Sequence, residues 1–148
     1  MYLVDTNIIS SGAASRARPP TDLIRWMDER SAELYLSSVT VAEIEAGIAK
    51  VRRCEAARKA ADLTAWLEAV IHLYGDRILA FDVAAARAAG TLLDFASSKG
   101  FAPQLADIYI AATALCHHLT VLTRNTRHFE PLGITTANPF LGLPSSFH

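Results

Sequence analysis

Short apolar runs recur through the chain at Met1–Val4, Leu34–Leu36, Arg77–Phe81 and Thr120–Leu122, with helix-length segments between them. Runs of this length read as buried strands. A fifth is expected at Ile134–Thr136. Helices are expected from a Thr21 cap to about Arg30, from Thr40 to about Arg53, and from about Glu55 to Tyr74, where Gly75 stops the third. Two more are expected, from an Asp82 cap to Lys99, closed by Gly100, and from Pro103 to about His118. Strands alternating with helices imply an α/β fold with a mostly parallel sheet covered on both faces. In such folds sites form at the carboxyl ends of the strands, so the residues that end each strand are the ones to examine.

A chain of 148 residues suits one compact domain, residues 1–148. Hydrophobic residues make up 51% and charged residues 20%, which supplies a core and excludes disorder. No apolar run reaches the roughly 18 residues of a membrane span. The stretch from Leu105 to Leu122 is broken by Asp107, His117 and His118. The N-terminus lacks a basic start, and Asp5 interrupts its apolar segment, so a cytoplasmic protein is expected. Cys54 and Cys116 form neither a disulfide framework nor a metal-ligand spacing, and read as small helix residues. A net charge of −1 gives no global nucleic-acid signature, so any such contact must be local.

Asp5 follows the first strand directly, with Thr6 and Asn7 after it. It reads either as a metal ligand supported by those two residues or as an aspartate opening the next segment. Glu43 lies in Thr40-Val41-Ala42-Glu43, which is also a capping-box pattern, so its side chain could return to the Thr40 backbone. A helix start at the sheet edge could equally aim it into the cleft beside Asp5. Glu45 lies on a different helix face. Asp107 sits in the apolar helix Leu105-Ala106-Asp107-Ile108-Tyr109-Ile110, with no Lys or Arg three or four residues away. A lone buried carboxylate costs several kcal/mol unless it is paired or coordinated. The loop Thr123-Arg124-Asn125-Thr126-Arg127-His128 follows another strand. There Asn125 can ligate a cation or orient water, and Thr123 can bond a carboxylate or phosphate.

The fold argument places these four clusters at one sheet edge. Two carboxylates about 4 Å apart repel by roughly 4 kcal/mol at an effective dielectric of 20. Three therefore need a counter-charge, and Mg²⁺ or Mn²⁺ suits an all-oxygen set. Such an ion activates water and steadies charge on a phosphodiester, so metal-dependent hydrolysis is expected. Other chemistries lack their residues. There is no G-x-G-x-x-G after the first strand and no P-loop. The strand-Asp-x-Asp phosphatase pattern has Asn7 in place of its second aspartate. His117 and His118 are adjacent and diverge by about a quarter turn, unlike a zinc pair. Local basic candidates are Arg16, Arg18, Lys50, Arg52, Arg53, Arg124 and Arg127. Arg124 and Arg127, which flank Asn125, are the first choice for RNA phosphates.

Val4-Asp5-Thr6-Asn7, Ser38-Val39-Thr40-Val41-Ala42-Glu43-Ile44, Leu105 to Ala114 and Leu122-Thr123-Arg124-Asn125-Thr126 resemble, in order, the motifs of PIN-domain proteins. Within these the chain is similar to the VapC/FitB toxins of type II toxin–antitoxin systems, as far as Asn138-Pro139-Phe140. The resemblance implies a three-layer α/β/α sandwich, a Mg²⁺- or Mn²⁺-dependent ribonuclease and a homodimer. It also implies a small antitoxin partner that occupies the active-site groove and carries the contact with DNA. Asp5, Glu43 and Asp107 match the family's acidic ligands, with Asn125 and Thr6 in support. Many relatives carry Asp at the position of Asn125 or of His128. Neither is a carboxylate here, so one metal ion is expected. Asp94 is a further acid with no spacing argument.

The leading reading is thus an endoribonuclease toxin that hydrolyses RNA through a metal-activated water. Two others stay open: a catalytically weak regulatory partner of a DNA-binding antitoxin, and a metal-dependent phosphatase or related hydrolase on the same cleft.

Overall fold

A computed structural model of the chain describes residues 1–13 and 18–145. Arg16, one of the basic candidates, lies outside the described residues. The strands are β1 (Tyr2–Val4), β2 (Leu34–Ser37), β3 (Ile78–Leu79), β4 (Thr120–Leu122) and β5 (Thr136–Ala137). They form one sheet in the order β3-β2-β1-β4-β5. Every pairing is parallel, including Tyr2 with Leu34 and Tyr2 with Thr120. The helices are α1 (Thr6–Ile9), α2 (Thr21–Glu29), α3 (Ser38–Arg53), α4 (Ala57–Tyr74), α5 (Val83–Ser98), α6 (Leu105–Cys116) and α7 (Thr126–Phe129).

Strand side chains alternate between faces, and the two faces build two cores. Leu3 and Val121 pack with Ala89 and Leu92 of α5, Ile108 and Ala111 of α6, and Phe129 of α7. Tyr2, Val4, Leu34, Leu36 and Leu122 pack on the other face. They meet Ile8 of α1, Leu23 and Trp26 of α2, and Val70 and Tyr74 of α4. The result is the expected three-layer arrangement. A third cluster, Ile44, Ile48, Ala60 and Leu67, joins α3 to α4. No helix among the described residues is long and apolar enough to cross a membrane.

Helix ends follow local chemistry. Asp82 caps α5 by accepting from the Ala85 N–H at 2.9 Å. Gly75, at φ +50°, ends α4 in a backbone region that only glycine enters freely. Several boundaries differ from expectation, including β3, which covers Ile78–Leu79 rather than Arg77–Phe81, and α6, which starts at Leu105 rather than Pro103. Helix α3 starts at Ser38 and not at Thr40, because the Ser37 side chain caps it by accepting from Val39 N–H. Thr21 is the first residue of α2, after Pro20, rather than its cap. The last strand covers Thr136–Ala137 rather than Ile134–Thr136. Ile134 instead packs in the core just before it.

Candidate functional site

The β1 ladder continues one residue past the strand, where Asp5 N–H bonds the Leu122 carbonyl at 2.9 Å. This pins Asp5 at the carboxyl edge, between the ends of β1 and β4. Its side chain, 5% exposed, accepts three hydrogen bonds. Oδ1 takes the Thr6 N–H at 2.8 Å. Oδ2 takes the Asn7 amide at 2.8 Å and the Thr123 hydroxyl at 2.7 Å. Asp5 is therefore the cap of the short helix α1, which bears out one of its two readings.

Thr123 is fully buried beneath this carboxylate. A hydroxyl can donate one bond and accept two. Thr123 uses all three, donating to Asp5 and accepting from Asn7 at 3.1 Å and the Asn125 N–H at 3.0 Å. Asn7 completes the lock by accepting from the Arg124 N–H at 3.1 Å. Thr123→Val should destabilise the fold by about 1–3 kcal/mol, whereas Thr123→Ser should retain most of the stability. Urea denaturation of the two variants checks this; equal midpoints would show that the hydroxyl network carries nothing.

Glu43 is not a cap. With α3 starting at Ser38, Glu43 lies in its second turn, and its carboxylate accepts a short hydrogen bond from the Thr6 hydroxyl. Thr40, fully buried, stands 3.3 Å from that same hydroxyl. Asp107 lies in the first turn of α6. It does have a partner, one distant in sequence: its Oδ2 is 3.0 Å from Nδ1 of His128 on α7.

These elements enclose a cleft of about 330 Å³ lined by Asp5, Thr6, Asn7, Ser10, Glu43, Gln104, Asp107, Asn125 and His128. Three carboxylates line it, and among the described residues no Lys or Arg does. Burial pushes the Asp5 carboxyl up from 3.8 to about 6. The bonds from Thr123 and Thr6 oppose the rise, while the nearby Asp107 and Glu43 charges add to it. Burial first, and the neighbouring carboxylates second, thus disfavour the charged form of Asp5. Among the described residues, no three His, Cys, Asp or Glu side chains stand close enough to share one ion as they are arranged. Glu43 is held to Thr6 and Asp107 to His128. The donors still fit Mg²⁺ or Mn²⁺ in chemistry, being oxygens around a polar, water-accessible space.

The cleft gathers Asp5, Thr6, Glu43, Asp107 and Asn125 as the sequence suggests, with Thr123 below. Arg124 and Arg127 are exposed and do not line it. The Arg124 guanidinium instead stacks over Phe140, 4.7 Å from the ring centre. Asp94 is exposed on α5, and His117 and His118 are exposed at the end of α6. Two lining residues, Ser10 and Gln104, went unread in the sequence, and His128 was read only as a position where relatives carry Asp. Ser10 lies four residues after Thr6, one helical turn on. Gln104 precedes α6 directly. His128 carried no local signal, since its partner is 21 positions away.

Residues 2–132 match the PIN domain family. The chain belongs to that family. Three relatives are each 37% identical to this PIN chain. They are the plasmid stability protein StbB of Pseudomonas syringae pv. tomato, over 95% of this chain and 99% of that protein, the VapC ribonuclease Y4jK of Sinorhizobium fredii, over 95% and 98%, and the toxin FitB of Neisseria gonorrhoeae, over 95% and 99%. The crystal structure of FitAcB from Neisseria gonorrhoeae superposes with a TM-score of 0.81 at 36% identity, covering 95% of this chain and 99% of that one. Within the PIN family, the chain falls in the group that includes the VapC and FitB proteins.

Proposed function

We propose that this PIN chain is a divalent-metal-dependent endoribonuclease that acts as the toxin of a VapBC-like toxin–antitoxin pair. One observation carries the reading: three carboxylates from α1's cap, α3 and α6 share a cleft that no lysine or arginine among the described residues lines, and Asp5 is pushed up to about 6 there. Relatives named as a ribonuclease and as a toxin, aligned along nearly the whole chain, support it.

Asp5, Glu43 and Asp107 would hold the ion, and Asn125 stands at the cleft wall as a neutral oxygen donor. When bound, a Mg²⁺ or Mn²⁺ ion supplies positive charge to the phosphodiester and acidifies water. The protein's own part is positional. Thr123, Asn7 and the Thr6 N–H fix both oxygens of Asp5, so the central carboxylate needs no reordering. Thr6 holds Glu43 within the same cleft. With an amide at Asn125 and an imidazole at His128, one ion is the expected complement. Arg124 and Arg127, both exposed, would meet RNA phosphates rather than enter the reaction. The partners this reading implies are RNA, a small antitoxin that covers the cleft, and a second copy of the chain. DNA is reached only through the antitoxin, in the cytoplasm.

The test uses the chain purified without its antitoxin, incubated with total RNA and either Mg²⁺, Mn²⁺ or EDTA. Cleavage should require the ion and vanish in Glu43→Gln. Cleavage in EDTA, or hydrolysis of small phosphate esters without RNA cleavage, would overturn the reading.

A further inference from the structure

We propose that His128 is the positioning residue for Asp107, donating from Nδ1 to Oδ2 so that the remaining oxygen is left for the ion. This rests on the metal reading above. A carboxylate oxygen only accepts, so at 3.0 Å the imidazole is the donor. The three acids are held unequally. Asp5 receives three hydrogen bonds and Glu43 one from Thr6. Among the described residues, no side chain other than His128 bonds Asp107. The orientation of the third carboxylate therefore depends on one ring.

The ring is itself well anchored. The His128 N–H bonds the Asn125 carbonyl at 2.9 Å. The next residue, Phe129, is fully buried in the core against the sheet. At 34% exposure His128 borders the cleft without closing it, while Asp107 is 15% exposed. A donor here acts oppositely to a fourth carboxylate. It orients Asp107 without adding negative charge beside Asp5, whose carboxyl already feels Asp107 and Glu43. Groups that hydrogen-bond a ligating side chain typically govern metal affinity by about 10–100-fold.

The experiment is Mn²⁺ titration of the full chain, followed by the loss of the free-ion EPR signal and by calorimetry. Wild type should bind one ion. His128→Ala should weaken binding by about 10–100-fold. His128→Asn, whose amide N–H stands close to the place of Nδ1, should stay within about threefold of wild type. His128→Gln, which places its amide nearer the Nε2 position, should behave as His128→Ala does. Melting curves check that each variant is folded. Wild-type affinity in His128→Ala, or equal weakening in His128→Asn and His128→Ala, would overturn the proposal while leaving the metal reading intact. A wild-type protein that binds no Mn²⁺ would remove the metal reading itself, and this proposal with it.

Discussion

Asp5→Asn is expected to raise the stability of the metal-free protein at pH 8 by about 1–2 kcal/mol, and to cut RNA cleavage by at least about 100-fold. The stability sign follows from the carboxyl being raised from 3.8 to about 6 in the fold. Below the unfolded value both states are protonated, and Asp5 costs nothing. Between about pH 4 and 6 the folded state holds a proton that the unfolded chain has released, so stability falls as pH rises. Above pH 6 the full cost, about 3 kcal/mol at 1.36 kcal/mol per unit, is present and constant. An amide removes that cost. It also sets one N–H against another donor, because the Thr6 N–H, the Asn7 amide and the Thr123 hydroxyl all point at this side chain. Losing one such bond costs about 1 kcal/mol or more, which leaves the smaller net gain. Near pH 3.5 only that loss remains, so the variant should be the less stable there. Paired thermal melts at pH 8 and pH 3.5, in EDTA, check the reversal. At pH 8 the variant's Tm should be higher by roughly 3–6 °C. A variant that is less stable at both pH values would show that the Asp5 charge is already compensated. Mn²⁺ at about 100 times its dissociation constant should add about 2.7 kcal/mol to wild type and almost nothing to the variant.

Phe129→Ala should cost about 3–5 kcal/mol, a large share of the 5–15 kcal/mol that holds a typical domain together. Phe129 is completely buried with Ile108, Val121 and Ile134. It is also the last residue of α7, a helix of four residues. A helix so short has no stability of its own, so its position is that of its anchor. Loss of the ring should lower Tm by roughly 10 °C and loosen His128 from Asp107. Phe129→Leu, which fills most of the space, should lose markedly less. Denaturant unfolding measures the stability, and Mn²⁺ titration on the surviving folded protein measures the site. A loss below about 1 kcal/mol would mean that α7 is held by its hydrogen bonds instead.

What could be read in the sequence depended on how local the physics was. The strands and helices were legible because burial imposes its period on neighbouring residues, and Tyr2, Leu3 and Val4 divide between two cores as a strand must. Asp5 and Asp107 were legible because each breaks an apolar element near the sheet edge, and Glu43 because it lies near a helix start at that same edge. The start of α3 was not, since Ser37, Ser38 and Thr40 all suit a helix cap. Ser37 prevails because β2 runs up to it and the helix begins at once. That choice releases Glu43 from the capping box and gives it to Thr6. The link from His128 to Asp107 was illegible for another reason. It joins two helices packed across the structure, and nothing along the chain records it. The last strand was displaced because Ile134, though apolar, is spent in the core and not in the ladder.

The placement of β1 between β2 and β4 also sets when the site can exist during synthesis. Tyr2 pairs with Thr120, and Asp5 is locked only when Leu122, Thr123 and Arg124 arrive. At about 5–20 residues per second, roughly 6–24 s of translation separate these partners. Through that interval the ribosome carries a chain whose central strand has one neighbour and whose Asp5 has its local donors, Thr6 and Asn7, but not the Thr123 hydroxyl. The cleft, with Thr123 beneath it and Asn125 and His128 in its wall, is therefore complete only when synthesis is nearly over.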